Sequence, residues 1–521
     1  MQIGKLIIGL SLLMATTAFG QKNQIQVLTN EKIVGRSLVD SAPIYGVEHV
    51  FPQRIHGTFL DTTTGFLTVQ LRGFSKDGKW LKAAGHLVQY DLSNKKVLWN
   101  KKTNYHQSSL LQLNNIMIYS AGNIHQYLDV HTGQSLWEVT NNFYRFIPSD
   151  SIGLGYNFRN SIGYSSELEG VNLNNGSKLW KRYVKREFGW NDVFYLNDST
   201  IVVVAAGLHS INLKTGKGWD YYGITGKNDY RGTAVANAAG LAIGLMSGTF
   251  MMTTAHNVVL DLVSNTVVDS SHIYFASHER IVKIDKQTGQ IIWIFPFKND
   301  LAGTSSIFII DDVVFMVNKG MALSGNQLIN FGKPFFAAFD SKTGKKIFFS
   351  VINTKNDPIL NFTIHKKEVL LVFKNRIQKY STETGEVILE QEFPKDTFAE
   401  LRYFVGSRAY ITAENVKLSN QYEADTTHFF VITSQGKILV LDPNLNVTKT
   451  IDREDFSFYY HQTADYKLIA EEKNTLLVNN EGKKIAEIEG TSKAFVIDKT
   501  LYYVRDNKFV VIELEKMSRN Q

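Results

Sequence analysis

The stretch NTVVDSSHIYFASHERIVKIDKQTGQIIWIF, residues 265–295, decides how this chain folds. Its apolar residues fall in four short runs, VVD, HIYFAS, RIVKID and QIIWIF, separated by tight polar turns. Alternation with a period of two is the mark of half-buried strands, and polar turns this short join neighbours antiparallel.

The end of this stretch recurs along the chain. Its form is apolar-x-apolar-Asp-x-x-Thr-Gly-x-x-apolar-Trp, with Asp285 leading, Gly289 at +4 and Trp293 at +8. Close copies are led by Asp129 (with Gly133 and Trp137), Asp340 (with Gly344) and Ser381 (with Gly385). Looser copies are led by Asp91 (with Trp99), Asn172 (with Gly176 and Trp180), Asn212 (with Gly216) and Asp442. The shorter spacings between leads cluster near 40 residues, and the longer ones require insertions. Four antiparallel strands per unit of about this length describe one blade of a β-propeller. The expected fold is therefore all-β, a single propeller of four-stranded blades over residues 21–521.

Each part of the motif has a physical task. The leading Asp or Asn oxygen accepts hydrogen bonds from backbone N–H groups two and three residues on. Glycine at +4 supplies the φ > 0 position of a type I turn plus bulge. Tryptophan at +8 lands on the outer strand, where it is expected to be buried in the gap to the next blade. Four of the seven tryptophans occupy that register, and Trp219 falls one residue short of it.

The Asp-x-x-Thr-Gly-x-x-x-Trp repeat resembles that of the PQQ-like, or quinoprotein-type, β-propellers, a family that includes periplasmic quinoprotein dehydrogenases and the BamB-type scaffold. The resemblance covers about residues 60–452 and implies about eight blades, the common number in the family. The direct count reaches eight to ten. A degenerate ninth hairpin surrounds Asn479–Gly482, and residues 493–514 supply three more strands. A fourth for that last blade is expected from residues 24–35. The resemblance admits two activities, a binding scaffold or an oxidoreductase holding PQQ and Ca²⁺.

Composition narrows the choice. The 521 residues contain no cysteine, 38 glycines and 8 prolines, with 44% hydrophobic and 20% charged residues. This is ordinary globular composition. Without cysteine there is no disulfide, thiolate metal site, lipid-anchored N-terminal cysteine or quinone-side disulfide of the kind many alcohol-oxidising quinoproteins carry. Residues 1–20, MQIGKLIIGLSLLMATTAFG, read as a cleavable secretory signal. The mature protein is then exported to a periplasm or the medium, and is not a lipoprotein. The net charge of +7 comes from scattered basic residues and small clusters such as Lys181, Arg182, Lys185 and Arg186. Nucleic acid is not an expected partner.

No catalytic or metal-binding constellation stands out. The 13 histidines form neither H-E-x-x-H nor H-x-H. GFSKDGKW (73–80) imitates a phosphate-binding loop but ends in Trp80 rather than Ser or Thr, and reads as a hairpin tip. Two insertions, about 224–262 and 414–428, interrupt the repeat. The first holds the uncharged run GTAVANAAGLAIGLMSGTFMM (232–252), expected to pack as a loop or short helix rather than to span a membrane. Blade-end loops are where propellers place function. The reading is a monomeric, non-enzymatic envelope protein that binds a protein or surface component through such loops, with no cofactor. The alternatives are a PQQ-dependent oxidoreductase and, from the 12% aromatic content, a carbohydrate-binding module.

Overall fold

The computed structural model describes residues 25–224, 259–404 and 428–518, and the short strands at 410–411 and 416–417. Excepted are 114–115, 123, 160–162, 186–189, 261–262, 298–302, 325–326, 356, 453–456, 472–473 and 491–493. Both sequence-predicted insertions fall largely outside the described residues.

Among the described residues, alternating apolar runs produce antiparallel sheets, and ten four-stranded blades are built from them, the last two joined into one larger sheet by Leu28–Ser37. Numbered along the chain, blades 1–9 span residues 54–104, 108–139, 142–183, 192–222, 267–296, 305–351, 361–392, 401–451 and 457–489. Blade 10 combines Phe495–Ile497, Thr500–Arg505 and Lys508–Glu513 with Pro43–Val50 from the other end of the chain. The chain divides into two compact units. Blades 1, 2, 9 and 10 lie in one and blades 3–8 in the other.

The ten blades among the described residues fall at the top of the eight-to-ten direct count and above the family's usual eight, because blade 9 lacks the Thr-Gly and Trp signals and blade 10 is assembled from both chain ends. One expectation needs correcting. The fourth strand of blade 10 is Pro43–Val50, not residues 24–35. Its inward positions are Ile44, Gly46 and Glu48, so glycine and a carboxylate break the apolar alternation that betrays other strands. The Glu48 carboxylate is nevertheless accommodated, because Lys508 Nζ reaches it at 2.7 Å. The earlier segment, Leu28–Ser37, pairs on one side with Pro43–Val50 and on the other with Lys484–Glu489 of blade 9. Arg36 pairs with Glu487 at 2.7 Å across that second seam.

Insertions enter blades without breaking them. In blade 6 the hairpin Met321–Ser324 and Gln327–Asn330 sits between the second and third strands, and Val259–Leu260 adds a strand to it. Residues 75–80 form the tip between Phe66–Phe74 and Leu81–Asp91. Among the described residues no helix is long and apolar enough to cross a membrane.

The cores lie between faces of successive blades. Tyr274, Trp293, Phe297, Met316, Phe335 and Phe339 form one such layer between blades 5 and 6. Trp293 is only 7% exposed, so Trp293→Ala is expected to cost about 3–5 kcal/mol in a denaturation experiment, as for other buried tryptophans. A loss under about 1 kcal/mol would contradict this packing.

Candidate functional site

The leading Asp residues organise their turns as carboxylate caps. Asp285 Oδ1 accepts from the N–H groups of Gln287 (3.0 Å) and Thr288 (2.8 Å) and from the Thr288 hydroxyl (2.9 Å). Asp129 and Asp340 do the same with Thr132 and Thr343. Asp91 accepts from Asn94, and Asp442 from Asn444 and Asn446. The backbone N–H and hydroxyl of Thr288 hold the Asp285 carboxyl below its ordinary range. Gly133, Gly176, Gly216, Gly289, Gly344 and Gly385 close their turns with φ between +69° and +73°. Each donates its N–H to the leading residue's carbonyl at 2.8–2.9 Å.

These turns receive side chains from the preceding blade. The indole N–H of Trp99 donates to the Val130 carbonyl (2.9 Å) and that of Trp180 to Leu213 (2.6 Å). Trp219 reaches Lys286 (3.2 Å) and Trp293 reaches Ser341 (2.9 Å). The acceptor is in every case the residue after the lead of the next blade. The rings lie against Gly133, Gly216, Gly289 and Gly344 respectively. A Cβ on Gly344 would stand 2.5 Å from Trp293 Cδ2, at a φ of +69° that already disfavours side chains. Gly344→Ala is therefore expected to destabilise by about 1–3 kcal/mol, read as a lowered denaturation midpoint, whereas Gly78→Ala, with nothing within 4 Å, should cost less.

The +8 register is broader than tryptophan. Phe348 takes the place between blades 6 and 7, against Gly385. Leu389 takes it between blades 7 and 8, packing into the cluster that contains Leu445. At that junction Lys379 Nζ donates to the Pro443 carbonyl at 2.6 Å, so an ammonium replaces the indole N–H. Trp137 departs from the expectation of burial. It is half-buried, tilted against Tyr127 of its own blade with centroids 5.4 Å apart.

Arg182, from the basic cluster seen in the sequence, is not a free surface charge. Arg182 lies on the outer strand of blade 3 and bonds the carbonyls of Gly216 (3.1 Å) and Trp219 (3.1 Å) and the Asp220 carboxylate (2.7 Å). His209 Nδ1 meets the same carboxylate at 2.7 Å. Burial opposes ionisation of Asp220, but the His209 bond and the Arg182 charge outweigh it and hold its pKa below the ordinary value. With its imidazole fully buried, this trio fastens blade 3 to blade 4. Sequence reading missed Arg182 because a strand arginine looks like a solvated edge residue.

Two concavities among the described residues bear on function. One, of about 340 Å³, is lined by Asn191, Asp192, Ser264, Asn265 and Ser305. The larger, of about 790 Å³, lies where blade 10 meets blade 1 and includes Tyr45, Val47, His49, Leu92, Lys95 and Tyr502. Its volume is typical of a small-ligand cleft. Among the described residues no group of three or more His, Asp and Glu is placed to hold a metal ion.

Residues 67–239 match the family model described as outer membrane protein assembly factor BamB. That segment carries the PQQ-like propeller repeat. The chain is also similar, at low identity, to solved structures. BamB from Moraxella catarrhalis is 12% identical, with 80% of this chain and 99% of that one covered and a TM-score of 0.32. The C-terminal WD40 domain of Sif2 is 10% identical, with 80% and 99% covered and a TM-score of 0.32. A europium-containing methanol dehydrogenase is 10% identical, with 74% and 84% covered and a TM-score of 0.29. No curated protein matches the chain.

Two buried histidines make the stability of their blades pH-sensitive. Burial, with a smaller contribution from the Lys95 charge, pushes His49 down to about 4. Burial does the same to His278. The unfolded chain takes up these protons near pH 6.5, so between pH 6.5 and 4 it binds more protons than the folded one. The stability that neutral His49 and His278 contribute is complete above about pH 6.5 and is lost as pH falls toward 4. Each accounts for up to about 1.4 kcal/mol per pH unit in that window. His49→Gln is expected to flatten the fall in urea midpoint between pH 7 and pH 5, and an unchanged slope would refute the assignment.

Proposed function

We propose that the chain is a non-enzymatic binding propeller of the cell envelope, exported by its first 20 residues, that docks a partner protein. The observation carrying this reading is the outer strand of blade 5, Ile291–Pro296. Among the described residues it is an edge strand with one unpaired side, it contains no charged residue, and Ile291 and Ile292 are each about half exposed, at 50% and 49%. Edge strands are ordinarily blunted by charge. The outer strands of blade 3, KLWKRY, and blade 7, VILEQE, follow that rule. The outer strand of blade 6 also exposes Ile347 and Val351, beside Lys346. An apolar edge that persists on a folded protein suits a surface that is covered in use. The match of residues 67–239 to the BamB family model supports the same class of role.

Crosslinking pull-down from envelope extract tests the reading. The unaltered chain is expected to enrich a discrete protein, and the Ile292→Lys, Ile294→Lys double variant to lose it by tenfold or more while keeping its melting temperature. Equal enrichment by both would remove blade 5 from the contact. The competing oxidoreductase reading is addressed by adding PQQ and Ca²⁺ and following dye reduction with alcohols and sugars. Background rates are expected, and sustained turnover would replace the scaffold by the quinoprotein.

A further inference from the structure

The cleft between blades 10 and 1 coincides with one position in the repeat. In each regular blade the leading residue pairs with the first residue of the second strand, as in Phe66↔Asp91, His272↔Asp285 and Val313↔Asp340. The residue two before the lead pairs with the +8 residue, as in Gln89↔Trp99, Gly170↔Trp180, Lys283↔Trp293 and Ala338↔Phe348. Blade 10 obeys the same register. Thr500 pairs with Glu513, which makes Glu513 the lead, and Val511 pairs with Val47. Val47 therefore stands where other blades carry tryptophan or phenylalanine.

The receiving turn on blade 1 is altered in the matching place. It is led by Asp91, and its +4 residue is Lys95, held at φ +53° where six other turns have glycine. Leu92 occupies the position whose carbonyl accepts an indole N–H from the preceding blade at four other junctions. Blade 10 supplies no such donor from its two register positions. Val47 has replaced the indole, and Val511 stands where blade 7 carries Lys379. Val47, Val511, Leu92 and Lys95 all line the 790 Å³ cleft.

The surroundings define what fits. Tyr45, two residues before Val47 and so on the same face of the strand, is 55% exposed in the cleft wall, and Tyr502 adds a second aromatic surface. Four carboxylates, Glu31, Asp40, Asp498 and Glu513, line the cleft against two ammoniums, Lys95 and Lys516. The aromatic faces and the net negative lining both favour a cation.

We propose that this junction binds a small aromatic amine, whose flat ring takes the berth left by the missing indole and whose positive charge faces the acidic wall. The site goes beyond protein docking and lies in the other compact unit from blade 5.

Calorimetric titration of the full chain with tryptamine tests it. Saturable 1:1 binding is expected, with indole-3-acetate, the same ring bearing the opposite charge, at least tenfold weaker. Val47→Trp fills the berth from within and is expected to abolish tryptamine binding without lowering the melting temperature. Asp498→Asn serves as a second variant because asparagine tolerates the left-handed backbone found there, φ +51°. It is expected to weaken tryptamine several-fold and leave neutral N-acetyltryptophanamide unchanged. Absence of tryptamine binding, equal affinity for indole-3-acetate, or undiminished binding by a folded Val47→Trp chain would each overturn the proposal.

Discussion

An indole laid over a glycine is the contact on which the blade-to-blade packing depends. The glycine must be at +4 because only there does the capped turn need positive φ, and it must lack a Cβ because the indole occupies that space. The indole N–H then finds the carbonyl one residue past the lead, so a buried donor and a buried acceptor satisfy each other. Turn geometry, inter-blade spacing and polar satisfaction are thereby coupled at a single point. Trp293 at 7% exposure and Trp180 at 8% are enclosed by this contact, whereas Trp99 and Trp219, which make the same contact, are half-buried.

The same task is met by different chemistry at other junctions. Between blades 7 and 8, Leu389 fills the volume and Lys379 supplies the donor. Between blades 5 and 6 the two devices coexist, since Lys283 Nζ and the Trp293 indole both donate to the Ser341 carbonyl. Between blades 3 and 4, Arg182 adds bonds to the carbonyls and carboxylate of the neighbouring outer strand. Volume and hydrogen bonding are separable requirements, which is why the repeat tolerates such divergent copies.

That separability explains what could be read in advance. The capped Asp-x-x-Thr-Gly turn is local, so Asp129, Asp285 and Asp340 disclosed their hairpins from sequence, and with them the all-β propeller. Blade 10 was hard to place because its fourth strand comes some 460 residues earlier than its third and carries Gly46 and Glu48 on its inner face. Leu389 and Lys379 were invisible as fasteners because each is unremarkable on a strand, and only the three-dimensional register pairs them with the next turn. The larger cleft was equally hidden. It is defined by residues that are absent from a pattern, Val47 for tryptophan and Lys95 for glycine, and Val47 has no pattern of its own until the pairing with Val511 is known.

The junction of blades 10 and 1 is free to lose its indole because other contacts hold it. Phe51, Ile55, Tyr90 and Phe509 form a shared buried cluster, joined by Ile25 and Val27. His49 Nδ1 lies 3.0 Å from the Tyr90 hydroxyl. The Phe51 N–H donates to Asn507, the Asn507 side chain donates back to the Phe51 carbonyl at 2.6 Å, and the Ile55 N–H donates to Asp506. These bonds tie the two blades at the end of Pro43–Val50 where it leads into blade 1, while Val47 sits further back along the strand. A fold whose other junctions spend their +8 residue on packing has here moved that duty elsewhere, leaving an aromatic-sized space with an acidic wall. Structural redundancy at one seam is what makes a binding site possible without weakening the blades that form it.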